Sequence, residues 1–168
     1  MANQSKIIRY MVYDTAIGDV TILADEKAIV GLYLDAVDPE GCINEENVPL
    51  LDAIMELNKY CYGQSKALNM RLNPPGDAFA KQVFDYVRTI PYGKTMTYEQ
   101  VAKALGEPGG GKEVRDTLAE NPIPFFIPCH RVVGEGNDLG VYVGSLELKQ
   151  KILAMERINA DREFRPNA

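Results

Sequence analysis

The residues with the clearest chemical potential are Pro128-Cys129-His130-Arg131, in which a cysteine adjoins the only histidine of the chain. A thiol becomes a strong nucleophile when it loses its proton, and an imidazole that takes this proton directly or through one water promotes the loss. Neighbouring residues on a strand point to opposite faces, so a turn or a bridging water must bring the two side chains together. The pattern indicates nucleophilic catalysis by Cys129. A structural cysteine beside a histidine is the alternative.

The remaining cysteines do not suggest a disulfide framework or a metal site. Cys42, Cys61 and Cys129 are odd in number and contain no close pair, which is typical of a reducing compartment. Together with His130 they lack the paired spacing of zinc ligands. The first residues lack the apolar run of a signal peptide, and no stretch is long enough to span a membrane. We therefore expect a cytoplasmic protein without a metal site.

Length and composition limit the possible classes of protein. The chain has 168 residues, enough for one domain or two small ones. Its composition, with 46% hydrophobic and 25% charged residues, excludes wholesale disorder. The net charge of −6 argues against a protein that coats nucleic acid by bulk charge, although a local basic surface remains possible.

The strongest break in the sequence is Asn73-Pro74-Pro75-Gly76, which divides the chain into domains 1–76 and 77–168. In the first domain, apolar runs predict an antiparallel meander and a following helix, with a polar loop over 35–48 between them. The predicted strands are Ile7–Thr15, Val20–Ala24 and Ile29–Leu34, and the predicted helix is Leu50–Tyr62.

The second domain reads as mainly helical. A helix over Asp77–Ile90 precedes a capping box in which Thr97 is the N-cap and Gln100 the third helical residue. The short helix that starts at this capping box reaches Leu105. A glycine-rich turn follows, and Lys112–Glu120 is predicted to form the next helix. Helix, turn and helix are the layout of a helix-turn-helix, although many helical hairpins share it.

Two further segments would place the cysteine and complete the domain. Residues 121–128, with the sequence NPIPFFIP, contain three prolines and are expected to form a stiff, extended segment that delivers Cys129 and His130 to a fixed position. Ser145 can cap a last helix over Leu146–Ile158.

The chain resembles the O6-alkylguanine-DNA alkyltransferases over residues 74–158. The resemblance is carried by residues 121–133, by Ile90–Thr95 with Thr97-Tyr98, and by a set of C-terminal residues. The C-terminal set is Gly140, Tyr142, Gly144, Leu146, Lys149, Leu153 and Glu156. The resemblance implies an α+β fold, with an RNase H-like antiparallel sheet and helix followed by a helical domain whose helix-turn-helix is winged-helix-like.

The resemblance also implies an activity. Double-stranded DNA containing O6-alkylguanine would bind to the helix-turn-helix, and the damaged base would be flipped into a pocket. Cys129 would accept the alkyl group (possibly also from O4 of thymine) once per molecule, without a cofactor. His130 would act as base through a water, and Glu156 would orient His130. A solvated helix carboxylate is the alternative for Glu156, and a monomer is expected.

Further roles are carried over from the resemblance to seven positions. Tyr98 would press on a phosphate beside the flipped nucleotide, and packing in the core is its alternative. Asn121 would tie the helix-turn-helix to the cysteine segment, and a turn residue before proline is its alternative. The base pocket would involve the backbone of Val132 and Val143 and the ring of Tyr142. Lys112 stands where the family has an arginine that fills the gap left by the flipped base, and Arg115 lies one turn further on the same face.

Two other functions compete with repair. A sensor of alkylated DNA with weak or no repair activity would share the fold, and the acidic residues Glu113, Asp116 and Glu120 of the second helix would weaken DNA binding. A thiol hydrolase would use Cys129 and His130 with turnover and would need an oxyanion hole, to which no sequence feature points.

Overall fold

The computed structural model describes residues 6–162, which form two compact units that divide between Pro75 and Gly76. The first unit is a β-sheet with one long helix, and the second consists mainly of helices. The protein is therefore α+β, as the resemblance implied. In the described range, no helix is both long and apolar enough to cross a lipid bilayer.

Three strands of the first unit form the predicted antiparallel meander: β1 (Arg9–Thr15), β2 (Gly18–Ala24) and β3 (Ile29–Tyr33). The turn between β1 and β2 needs Gly18, whose φ of 102° lies in the region that favours glycine. All residues from Val20 to Ala24 are buried, whereas burial along β1 partly alternates with exposure. The apolar runs thus identified these strands correctly.

A fourth strand, β4 (Ile43–Asn44), lies within the predicted loop and pairs in parallel with β1. The strand order is β3-β2-β1-β4, so the sheet is mixed at one edge. Both residues of β4 are exposed, and a two-residue strand has no alternation to detect. Helix α1 (Val48–Cys61) then begins with Asn47, whose side chain accepts a hydrogen bond from the amide of Leu50.

The second unit holds the remaining elements, which include the predicted helix-turn-helix. In chain order they are α2 (Ala78–Val87), β5 (Met96–Thr97), α3 (Tyr98–Ala104), α4 (Gly111–Ala119), a 3-10 turn (Cys129–Arg131), β6 (Val132–Val133) and α5 (Leu146–Asn159). Strand β5 pairs in parallel with β6. This pairing joins the start of the helix-turn-helix to the residues directly after Arg131.

The capping box at the start of α3 forms as predicted. The hydroxyl of Thr97 accepts a hydrogen bond from the amide of Gln100 at 3.1 Å, and the Gln100 side chain accepts one from the amide of Thr97 at 2.8 Å. Val101 and Ala102 of α3 and Val114 and Leu118 of α4 are buried. Two short helices therefore share a core and a fixed starting point.

Residues 122–128 do not form the extended segment that the prolines suggested. The chain turns at Phe125, which has a φ of 71°, and the amide of Ile127 donates a hydrogen bond to the carbonyl of Ile123 at 2.9 Å. A bulky residue rarely adopts this conformation, which costs of order 1 kcal/mol or more. Burial of the apolar residues of the turn offsets this cost, a gain that the proline pattern did not reveal.

Loss of the capping box has a measurable cost in stability. In a Thr97→Ala variant the amide of Gln100 loses its acceptor, and the free energy of unfolding should fall by about 1 kcal/mol. Urea unfolding of the full chain measures this change. Thr117→Ala is the matched control, because that hydroxyl only bonds back to the carbonyl of Glu113 within α4. Equal stability of both variants would contradict the assigned cap.

Candidate active site

Cys129 and His130 lie in the buried 3-10 turn that follows the 122–128 turn. The amide of Cys129 donates to the carbonyl of Ile127 at 2.7 Å, and the amide of Arg131 donates to that of Pro128 at 3.0 Å. Cys129 is 3% exposed and His130 is fully buried. The turn expected at this pair is therefore a 3-10 helix, which replaces strand alternation as the constraint on the two side chains.

Asn121 holds the chain on both sides of the turn that precedes the cysteine. Its side-chain oxygen accepts from the amide of Ile123 at 3.0 Å, and its side-chain nitrogen donates to the carbonyl of Ile127 at 2.9 Å. Helix α4 ends two residues earlier, at Ala119, and the role of Asn121 in tying the helix-turn-helix to the cysteine segment stays a prediction.

His130 and Glu156 form a buried pair. Nε2 of His130 lies 2.8 Å from Oε2 of Glu156, and Glu156 is 1% exposed on α5. Arg131 adds a second contact, with its Nε donating to Oε1 of Glu156 at 2.6 Å and a terminal nitrogen donating to the carbonyl of Ile90 at 2.8 Å. The alternative of a solvated carboxylate at Glu156 is therefore wrong.

Burial controls the protonation of this group. It raises the pKa of the Cys129 thiol to about 11, although a hydrogen bond from Asn121 and the charge of Lys149 act in the opposite direction. Burial also lowers the pKa of His130, and Glu156 only partly compensates. For Glu156, burial favours a higher pKa, but contacts with His130 and Arg131 outweigh it and leave the pKa lowered.

The resting site at neutral pH therefore contains a thiol, a neutral imidazole and a carboxylate. Because an ionised carboxylate can only accept hydrogen bonds, Nε2 of His130 carries the proton and donates to Glu156. The lone pair of the ring is then on Nδ1, which makes Nδ1 the basic atom. The pair with Glu156 also stabilises the imidazolium that forms when His130 takes a proton.

Lys149 is a central residue that chemical reasoning from the sequence missed. It is fully buried on α5, and its Nζ donates to the carbonyls of Val132 at 2.8 Å, Leu139 at 2.5 Å and Val141 at 2.9 Å. These contacts satisfy all three donors of the ammonium. Burial lowers its pKa to about 8. Helical spacing offered a signal, because Lys149 shares the buried face of α5 with Ile152 and Glu156.

The predicted pocket residues lie in or next to the segment that Lys149 holds, and Tyr98 packs against this segment. Tyr98 is 7% exposed, and its hydroxyl accepts a hydrogen bond from the amide of Val141 at 2.9 Å. Its ring lies so close to Gly140 that no side chain fits there. Tyr98 thus packs against this segment, and its contact with a phosphate stays a prediction. Val132 is buried, whereas Tyr142 and Val143 are half-buried.

The two predicted DNA-contacting cations lie on an exposed face of α4. The Lys112 side chain is 84% exposed, with its Nζ 3.9 Å from the carboxylate of Asp116, and Arg115 is also exposed. Both line an open cavity of about 260 Å³ together with Thr97, Tyr98, Glu99, Gly111, Gly134 and Glu135. Within residues 6–162, no cluster of His, Cys, Asp and Glu side chains is suited to hold a metal ion.

A buried cysteine beside a His-Glu pair, in a unit that carries a helix-turn-helix, defines a class of DNA-binding proteins with a cysteine active site. Comparison with known families specifies that class. The ribonuclease-like domain of 6-O-methylguanine DNA methyltransferase matches residues 8–74, and the DNA binding domain of the same protein matches residues 78–158.

Whole-length relatives agree with these matches. The methylated-DNA–protein-cysteine methyltransferase of Methanosarcina acetivorans is 30% identical over 88% of this chain and 97% of its own length. The constitutive enzyme of Bacillus subtilis is 32% identical over 89% and 96%. The chain belongs to the family of 6-O-methylguanine DNA methyltransferases, also called methylated-DNA–protein-cysteine methyltransferases.

Solved structures show the same fold. The O6-methylguanine methyltransferase of Mycobacterium tuberculosis superposes with a TM-score of 0.85 at 27% identity, covering 94% of this chain and 97% of that one. A complex of the M. tuberculosis protein with DNA gives a TM-score of 0.84 at 28% identity, with coverage of 90% and 94%.

The buried pair makes stability depend on pH. Because the pKa of His130 is lower in the folded protein than its unfolded value of about 6.5, acidification below about pH 6.5 favours unfolding. The lowered pKa of Glu156 adds a further loss as the pH falls below about 4.3. Urea unfolding from about pH 8 to about pH 2.5, a range that covers the titration of both groups, should show both stages.

His130→Gln provides the control, since the chain has no other histidine. This variant should lose the upper stage and show a smaller lower one, because Arg131 then acts on the Glu156 carboxylate without His130. A wild-type free energy of unfolding that stays constant between about pH 7.5 and 5.5 would show that His130 titrates normally.

Proposed function

We propose that this protein repairs O6-alkylguanine in double-stranded DNA by a single transfer of the alkyl group to Sγ of Cys129. The observation that carries the proposal is the buried contact of 2.8 Å between His130 and Glu156. His130 directly follows the buried Cys129 in the chain. Family membership supplies the reaction class, and this geometry supplies a nucleophile, a base and a group that orients the base.

The transfer proceeds as one displacement. The thiol proton passes to Nδ1 of His130, directly or through one water, while Glu156 accepts the hydrogen bond from Nε2. The sulfur then forms a bond to the alkyl carbon as the bond from that carbon to O6 of guanine breaks. The electron pair of the broken bond stays on guanine, which takes up the proton from His130. The products are a thioether at Cys129 and unmodified guanine.

Burial of the cysteine explains how the reaction can be restricted to bound substrate. With its pKa raised to about 11, the thiol keeps its proton in the free protein and resists adventitious oxidation or alkylation. Proton transfer to His130 becomes productive only when an alkyl carbon is in place. Because a thioether is stable, the protein stops after one equivalent.

The helix-turn-helix supplies the DNA contact in this proposal. Residues 77–168 would form the DNA-binding and alkyl-transfer domain, with residues 1–76 as the sheet domain. Lys112 and Arg115 lie on an exposed face of α4, where they can reach phosphates or the base stack. Duplex DNA that carries the lesion is the proposed partner, and a monomer suffices because one chain provides every residue in the scheme.

The remaining residues would shape the base pocket. Tyr142 would stack on the flipped guanine, and the backbone of Val132 and Val143 would line the pocket. The carbonyl of Val132 already accepts from Lys149, so a hydrogen bond from the guanine amine would use its second lone pair. The free cysteines support a reducing, cytoplasmic location as part of the proposal.

Intact-protein mass spectrometry tests the transfer. Incubation with a short duplex carrying O6-methylguanine should add one methylene per molecule, and peptide mapping should locate it at Cys129. Cys129→Ser should show no gain, whereas Cys61→Ser should react like the wild type because Cys61 lies on α1 in the other unit. Binding without mass gain would indicate a sensor, and continued product release without thioether would indicate a hydrolase.

The lysine at position 112 should limit base flipping. A guanidinium can stack on neighbouring bases and an ammonium cannot, so Lys112→Arg should raise the rate of transfer from duplex DNA by about fivefold, equivalent to about 1 kcal/mol. Transfer from the free base O6-benzylguanine should not change. Lys103→Arg on the exposed side of α3 is the matched control. A rate that responds to Arg115→Ala but not to Lys112→Arg would assign this role to Arg115.

A further inference from the structure

The first turn of α4 lacks a local cap. Its N-cap residue is Gly110, which has no side chain to accept a hydrogen bond from the exposed amides. Amides at the start of a helix need acceptors, and a missing cap costs about 1 kcal/mol. An acceptor from elsewhere in the structure must therefore hold this turn, which carries Lys112.

Glu99 supplies the acceptor from the neighbouring helix. Its Oε1 accepts from the amide of Gly109 at 2.7 Å, and its Oε2 accepts from the amide of Gly111 at 3.2 Å. Because Glu99 is also in the first turn of α3, one carboxylate lies at the positive ends of two helix dipoles. The two N-termini are thus joined by a single side chain.

The contact depends on the glycines that it binds. A Cβ at Gly111 would lie 3.0 Å from Oε2 of Glu99 and 3.2 Å from its amide nitrogen, so a larger residue there would push the carboxylate away from the turn. Gly109 has a φ of 85°, a conformation that other residues rarely adopt. The glycine-rich turn therefore has a specific partner and does more than separate two helices.

We propose that Glu99 is a positioning residue for duplex recognition. It caps α4 from α3 and so fixes the turn that presents Lys112, with Arg115 one turn further on. Glu99 touches neither the cysteine nor the base in this scheme. The inference rests on the proposed function, because it concerns how the helix-turn-helix meets DNA.

Charge and positioning predict opposite effects for this residue. Removing a carboxylate beside a DNA-binding surface reduces repulsion of phosphates, so electrostatics alone predicts tighter binding. Loss of the cap leaves the first turn of α4 partly unfolded, and DNA binding must then restore it. Glu113, in the first turn of α4 and exposed, provides a matched carboxylate without the capping contact.

The experiment compares the full-length wild type with Glu99→Ala, Glu99→Gln, Glu113→Ala and Glu113→Gln. Fluorescence anisotropy gives the dissociation constant for a duplex carrying O6-methylguanine, and quench-flow gives the transfer rate at saturating duplex. The reaction with free O6-benzylguanine reports on the cysteine site alone. Glu99→Gln keeps one acceptor oxygen and guards against failure of the alanine variant to fold.

We expect Glu99→Ala to weaken duplex binding by up to about fivefold, the factor that corresponds to a lost cap of about 1 kcal/mol. Glu99→Gln should fall between it and the wild type, and the rates at saturation and with the free base should stay unchanged. The Glu113 variants should bind equally or more tightly. Glu99 variants that bind as tightly as their Glu113 counterparts would overturn the proposal. A wild type that does not bind duplex DNA would overturn the proposed function together with it.

Discussion

The carboxylate of Glu156 is the point on which the cysteine site depends. It is buried, and it stays ionised because His130 and Arg131 approach it from two sides at 2.8 Å and 2.6 Å. Burying a charge without partners is prohibitively costly, and removing one partner from a buried pair costs about 3–5 kcal/mol. Three residues from the 3-10 turn and α5 are therefore held in one arrangement. That arrangement fixes the tautomer of His130 and, with it, which ring nitrogen can act as a base.

A second buried charge holds the residues that follow the 3-10 turn. Lys149 lies on the same helix as Glu156, and its ammonium binds three backbone carbonyls on β6 and the segment after it. A carbonyl is a weaker partner than a carboxylate, which is why burial still lowers the pKa of Lys149 to about 8. Helix α5 thus contacts the histidine through one side chain and holds the backbone of residues 132–141 through the other.

Strain and close approach occur where the chain must be placed accurately. Phe125 adopts a left-handed conformation four residues before the cysteine. Two hydrogen bonds between the Asn121 side chain and the backbone hold that turn. Gly140 leaves room for Tyr98, and Gly111 leaves room for Glu99. The contacts of Tyr98 and Glu99 join different elements of the second unit, whereas those of Asn121 act within residues 121–127. Local preferences are overridden at these positions because burial and long-range hydrogen bonds contribute more than the local cost.

The sequence by itself determined most of the regular elements and singled out Cys129 as the candidate nucleophile. Apolar periodicity predicted β1 to β3 and the helices, the capping box at Thr97 and Gln100 was readable from residue types, and the Cys129-His130 pair was visible because its residue types carry the chemistry. These features depend on neighbouring residues. The tertiary structure alone decided the short strand β4, the turn at Phe125, the burial of Glu156 and the three carbonyl contacts of Lys149. Those features arise from segments that meet only in the folded chain, where burial and pairing of charges replace local propensity as the controlling energy.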